Sequence, residues 1–130
     1  MKLWKKIVLG LLILVVSYAA FVFIQVRTLA VEQLSEDLWV IRGMGGNTTV
    51  LRTSEGAVII DSMTFVMQGK LIRNKVRDLT GSEPVMIINT HYHLDHTHGN
   101  PGFDPNTRDV STERTLSHLN VLDADFWQGD

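Results

Sequence analysis

The sequence predicts a mixed α/β domain carried behind a single membrane-spanning helix. Three observations lead there. An uncharged run of eighteen residues lies near the start of the chain. Short β-branched segments with glycine turns follow, then a strand, a helix and a second apolar strand. That last strand runs into THYHLDHTHGN, which holds four of the five histidines. Strand, helix and buried strand in that order describe a βαβ unit with a covered sheet.

Residues 7–24 read IVLGLLILVVSYAAFVFI. As a helix they span about 27 Å, close to the hydrocarbon thickness of a bilayer. Lys2, Lys5 and Lys6 precede the run and only Arg27 follows closely. The positive-inside bias therefore puts the N-terminus in the cytoplasm and everything later across the membrane. A cleaved signal peptide also fits, with Ser17-Tyr18-Ala19 or Thr28-Leu29-Ala30 as the cleavage site. The run exceeds the ~7–15 apolar residues usual for a signal. The expected organisation is a cytoplasmic tip and transmembrane anchor (or signal peptide) at residues 1–27, a linker at 28–34, and the domain at 35–130. The lipid bilayer is the expected partner of residues 7–24. The rest is expected to be extracytoplasmic on a single-pass anchor, or secreted after cleavage.

Leu38, Trp39, Val40 and Ile41 form a short apolar strand, broken by the glycine-rich turn Gly43-Met44-Gly45-Gly46-Asn47. Residues 48–52 resume as a strand, Ser54-Glu55-Gly56 turns, and residues 57–60 form a third strand ending on Asp61. Phe65, Ile72, Val76 and Leu79 recur at helical spacing, with Lys70, Arg73, Lys75 and Arg77 mostly on other faces. Gly81-Ser82-Glu83-Pro84 ends that helix. Residues 85–88 are the next buried strand, leading into Asn89-Thr90-His91. No internal repeat or low-complexity tract interrupts the chain.

Composition narrows the chemistry. One domain is the prior for 130 residues. A formal net charge of -2 gives no reason to expect nucleic acid. Without cysteine there is no disulfide and no thiolate ligand, so a metal must be held by imidazole and carboxylate. In extended backbone, His91 and His93 point to one side. Asp95 and His96 follow where the chain turns, and can offer a carboxylate and a third imidazole nearby. This donor set suits zinc first, then iron or manganese. The strand-end position is where open α/β sheets place their sites.

HYHLDH, with Asn89-Thr90 before it and Gly99-Asn100 after, resembles the signature of the metallo-β-lactamase fold hydrolases. DLWVIRGMGGNTTVL and GAVIIDSM upstream are similar to that family too. The resemblance covers residues 34–103. It implies the N-terminal half of a four-layer αββα sandwich, with a dinuclear zinc site at one edge of its sheets. By this resemblance His91 and His93 are ligands of a first metal, and Asp95 and His96 ligands of a second. Asp61 is a carboxylate beneath the site that orients a ligand histidine through its other ring nitrogen. Asp95 is also the candidate catalytic residue, orienting a metal-bound hydroxide that attacks an ester, lactone, lactam or related bond in a small-molecule substrate. The 43–47 loop resembles the early hairpin loop that approaches the metals.

The family's third histidine for the first metal, its bridging carboxylate and its last histidine lie well downstream. The chain is therefore expected to be the first half of a longer enzyme. The alternative is a non-catalytic membrane-anchored fragment or metal-holding module. His98 is read as a loop residue or a pocket-rim residue, and His118 as a residue of a helix starting near Thr115. Trp39 and Trp127 are read as core or interface aromatics. The absence of cysteine argues against the lactamase subgroup that uses a cysteine ligand, and export argues against intracellular substrates. No substrate-binding residue is identifiable.

Overall fold

The computed structural model describes residues 2–123. Helix α1 (Leu3–Arg27) is apolar on every side and long enough to cross a membrane. Its side chains are exposed apart from half-buried Val22 and Val26, which is buried against the domain. A single residue, Thr28, separates α1 from strand β1 (Leu29–Ser35).

Four antiparallel strands follow the helix: β1, β2 (Leu38–Gly43), β3 (Gly46–Thr53) and β4 (Gly56–Ile60). The expected meander of three strands is thus extended by one. Residues 28–34, expected as a linker, form most of β1 instead. The side chains of β1 beyond Leu29 are exposed, so no apolar alternation marks it. It exists because its backbone completes the ladder along β2, from Leu29 opposite Gly43 to Ser35 opposite Leu38. The β2–β3 hairpin closes on Met44-Gly45, and the φ of +86° at Gly45 is a backbone state that glycine adopts without penalty.

Helix α2 (Val66–Thr80) then carries the chain over one face to β5 (Pro84–Ile88), which pairs parallel with β4. A short β6 (Arg108–Val110) adds a second parallel partner at the edge, giving the order β1-β2-β3-β4-β5-β6. Before β6 come a single turn of helix, α3 (Leu94–Thr97), and a 3-10 turn (Asn100–Gly102). Helix α4 (Glu113–His118) follows it, starting slightly earlier than expected because Thr112 caps it by accepting from the Thr115 N–H.

The core lies between the sheet and α2. Trp39, Val50, Ile59 and Ile87 align across four strands, and Ile72 and Val76 pack on them from the helix. The two strands flanking α2 are apolar and the helix is amphipathic, so burial selects this crossover. Each large side chain taken from water contributes roughly 1.5–3 kcal/mol. The opposite sheet face carries Leu38, Val40, Leu51, Val58, Ile60, Met86 and Ile88, all half-exposed or exposed. This one-sided covering is consistent with half of the expected sandwich.

Candidate functional site

The C-terminal ends of β4 and β5 lie side by side, and the chemistry-bearing residues collect just beyond them. After β4 the backbone runs through Asp61 at φ +62° and Met63 at φ +65°. Such left-handed conformations cost non-glycine residues on the order of 1–3 kcal/mol each. Both residues and Ser62 between them are buried, and neighbouring contacts hold all three in place.

The contacts form a buried polar clamp. The Ser62 N–H and the Asn89 Nδ2 amide both donate to the His96 carbonyl, at 2.9 and 2.8 Å. Ser62 Oγ donates to Asn100 Oδ1 at 2.6 Å, and Asn100 Nδ2 donates to Asn89 Oδ1 at 2.7 Å. The Gly99 N–H donates to the Met63 carbonyl at 3.0 Å. Residues 89–100 are thereby fastened to the strained corner after β4. The fit there is backbone on backbone: a Cβ on Gly99 would lie 1.8 Å from the Ser62 carbonyl oxygen, and one on Gly69 would lie 1.9 Å from the Gly99 oxygen.

The clamp presents the histidines. His91 lies in a bend rather than in the extended backbone that its spacing predicted, because β5 ends at Ile88. His91 and His93 come together all the same, with ring centres 4.7 Å apart, and His91 and His96 stand at 3.9 Å. His93 immediately precedes α3, and Asp95 and His96 are carried within it. Asp61 lies beneath. Its Oδ1 accepts the Thr90 N–H, and its Oδ2 accepts the Thr90 hydroxyl, both at 2.8 Å. The same Oδ2 lies 2.7 Å from His96 Nδ1, and Thr90 Oγ1 lies 3.0 Å from His91 Nδ1.

This network assigns the tautomers. The carboxylate of Asp61 only accepts, so His96 carries its proton on Nδ1. The Thr90 hydroxyl is spent on Asp61, so it accepts from His91 Nδ1–H. Both rings then present Nε2 as an electron-pair donor. His96 Nε2 is 3.1 Å from Asp95 Oδ2. Two electron-pair donors that close need a proton or a cation to share. Imidazole nitrogen and carboxylate oxygen so placed are the donor types zinc takes, so the residues fit the ion by chemistry. Among the described residues, no group of three or more His, Asp and Glu side chains stands arranged to hold a metal ion. The rings contact one another edge-on and at a tilt instead of sharing one focus.

The 43–47 loop reaches the cluster: a Cβ on Gly46 would lie 2.8 Å from the Asp95 carbonyl oxygen. Gln68, fully buried, ties that loop down. Its Nε2 donates to the Met44 carbonyl at 2.7 Å, and its Oε1 accepts from the Thr64 and Phe65 N–H groups. His98 is half-buried and lines a cavity of about 480 Å³ with Phe65, Val66, Thr97, Pro101 and Leu119. His118 is half-buried and stacks on Tyr92 at 4.3 Å. Trp39 is a core residue, and Trp127 lies outside the described residues. Sequence reasoning did not single out Gln68, and it noted Asn89 and Asn100 only as flanks of the signature, without the clamp they form with Ser62. Polar residues embedded in apolar text at both strand ends were the only signal.

Comparison with known proteins follows this geometry. The family model of the metallo-beta-lactamase superfamily matches residues 41–128. The fold is similar to the mono-zinc form of metallo-beta-lactamase FIM-1 from Pseudomonas aeruginosa, with a TM-score of 0.65 and 12% identity, over 71% of this chain and 45% of that one. It is similar to BJP-1, a subclass B3 metallo-beta-lactamase of Bradyrhizobium japonicum, with a TM-score of 0.57 and 28% identity, over 68% of this chain and 35% of that one. It is also similar to a double mutant of the sec-alkyl sulfatase PisA1, with a TM-score of 0.64 and 18% identity, over 78% of this chain and 17% of that one. The chain thus spans less than half the length of each of these enzymes. Among curated proteins, none matches the sequence significantly.

Proposed function

The chain belongs to the metallo-beta-lactamase superfamily, and on that footing we propose that residues 91–96 form part of the metal centre of a zinc-dependent hydrolase. His91 and His93 would hold one ion, and Asp95 and His96 a second. When bound, the ions supply Lewis acidity and a nucleophile drawn from water near neutral pH. Asp61 fixes the His96 ring through Nδ1 and so aims its Nε2 outward. Thr90 does the same for His91. Asp95 orients the attacking group. The substrate class is a small molecule with an ester, lactone, lactam or related bond. Residues 7–24 hold the protein in the membrane, with the domain on the extracytoplasmic side because Lys2, Lys5 and Lys6 precede the helix.

The observation that carries this reading is the gathering of the His91, His93 and His96 rings, His91 standing 4.7 Å from His93 and 3.9 Å from His96, with His91 held by Thr90 and His96 by the buried Asp61 carboxylate. The test is equilibrium dialysis of the full chain in detergent micelles against zinc, followed by elemental analysis. Zinc retained at about one or two ions per chain is the expected result, reduced in His91→Ala and His93→Ala. A wild-type chain that retains no more zinc than these variants would overturn the assignment.

A further inference from the structure

The end of α1 does not stand clear of the domain. Tyr18, Ala19, Val22, Phe23 and Val26 face Phe65, Val66 and Met67 across an apolar cleft. Arg27 Nη1 lies 3.7 Å from Met67 Sδ, and the junction to β1 is one residue long. The start of α2 is therefore level with the last turns of the apolar run. At 1.5 Å per residue, Tyr18 lies about 9 Å deeper along the helix axis than Ile24. Whatever surrounds Tyr18 to Phe23 also reaches Phe65 and Val66, which are 47% and 42% exposed. Basic side chains flank this shelf, Arg27 at the helix end and exposed Lys70 one turn beyond Val66. An apolar shelf edged by cations is the profile of a surface seated at a lipid headgroup boundary.

The same two residues also wall the 480 Å³ cavity that His98 lines. That cavity is bounded by Thr97 and His98, the residues directly after His96. Its exposed surface is mostly apolar, although Thr64, Thr97, His98 and Asn100 also line it. We infer that Phe65 and Val66 enter the bilayer and that the cavity behind them opens to it, admitting an acyl chain beside the candidate site. This rests on the reading of residues 7–24 as a membrane anchor. It makes the substrate class of the site amphiphilic, an ester or related bond in a molecule drawn from the membrane rather than from bulk water.

The chain lacks cysteine, so single-cysteine labelling reads the geometry directly. Leu14→Cys, Phe65→Cys, Val66→Cys, Pro101→Cys and Glu55→Cys, each carrying a bimane, are reconstituted in phosphatidylcholine–phosphatidylglycerol vesicles with acyl chains brominated both near the headgroup and near the chain end, so that shallow and central depths are both read. Labels at 14, 65 and 66 should be quenched about twofold, with 55 unaffected, as expected for burial several ångströms into the acyl boundary. Pro101, exposed on the cavity wall, should be quenched as well. Quenching at 14 with none at 65 and 66 overturns the inference while leaving the anchor in place. No quenching at 14 removes the anchor and the inference with it. Quenching at 65 and 66 but not at 101 overturns entry of acyl chains into the cavity. Far-ultraviolet circular dichroism matching wild type qualifies each variant for the comparison.

Discussion

The helix-covered face of the sheet and the loop end of the molecule hold their residues by opposite means. On the covered face, Val50, Ile59, Ile87, Ile72 and Val76 have no polar atoms to satisfy and are fully buried. At the loop end, Asp61, Ser62 and Asn89 are also buried, yet residues 89–100 are fastened to the corner after β4 by hydrogen bonds. Apolar packing tolerates small shifts and is paid back by area. A hydrogen-bonded clamp tolerates little, and it can enforce left-handed backbone at Asp61 and Met63. The difference teaches which half of the domain sets stability and which sets geometry.

The largest effect should come from the covered face. Ile59→Ala removes a fully buried side chain aligned with Val50 and Ile87, and should cost about 2–5 kcal/mol in a denaturant titration of the chain in micelles. The ring cluster should be disturbed only as far as the whole fold is. Next comes Asn89→Ala, which leaves the His96 carbonyl and Asn100 short of partners and should cost about 1–3 kcal/mol. Here the comparison predicts a second signature. Histidine ring resonances of His91 and His96 should shift in Asn89→Ala and stay in place in Ile59→Ala. Equal shifts in both variants would erase the distinction between the two regions.

What could be read from the sequence follows the same division. Strands 38–41, 48–52, 57–60 and 85–88 and the helix between the last two were legible because burial writes itself as periodicity. Leu29 to Ser35 was not, since its strand is held by backbone pairing with β2 and its side chains carry no pattern. β6 was too short to signal. The histidine cluster was conspicuous by its composition, and it lies just beyond the end of β5. Its supports were not legible, because Ser62 to Asn100 and Gln68 to Met44 are contacts between residues 38 and 24 apart in sequence. Nothing local in a serine or glutamine announces a partner that far away.

A smaller effect sharpens the contrast by reversing sign. Thr48 lies on the covered face opposite Ile41, and its buried hydroxyl has no partner among the described residues. It is a polar group placed where apolar packing governs. Thr48→Val keeps the branched shape and removes the unsatisfied oxygen, so it should stabilise the chain by on the order of 1 kcal/mol. Loss of stability would mean that the hydroxyl is bonded in solution, and that the polar clamp extends further under the 43–47 loop than the contacts indicate.

The smallest effect lies outside both regions, at the surface where Arg73 meets Glu83 and Asp104 at 3.0 and 3.2 Å. The backbone N–H of Asn106 holds the Asp104 carboxyl below its ordinary value of 3.8, with the Asn106 side chain and Arg73 assisting. A carboxyl depressed in the fold adds stability above its unfolded pKa and loses it as pH falls through the folded value. Asp104→Asn should therefore melt slightly below wild type at pH 7. The gap should close as both are acidified past pH 3.8. Exposed ion pairs contribute little, and 0.5 M sodium chloride should narrow the gap at pH 7 as well. A gap that survives both acid and salt would show the Asp104 turn acting through packing, which would place it with the covered face rather than with the solvated edge.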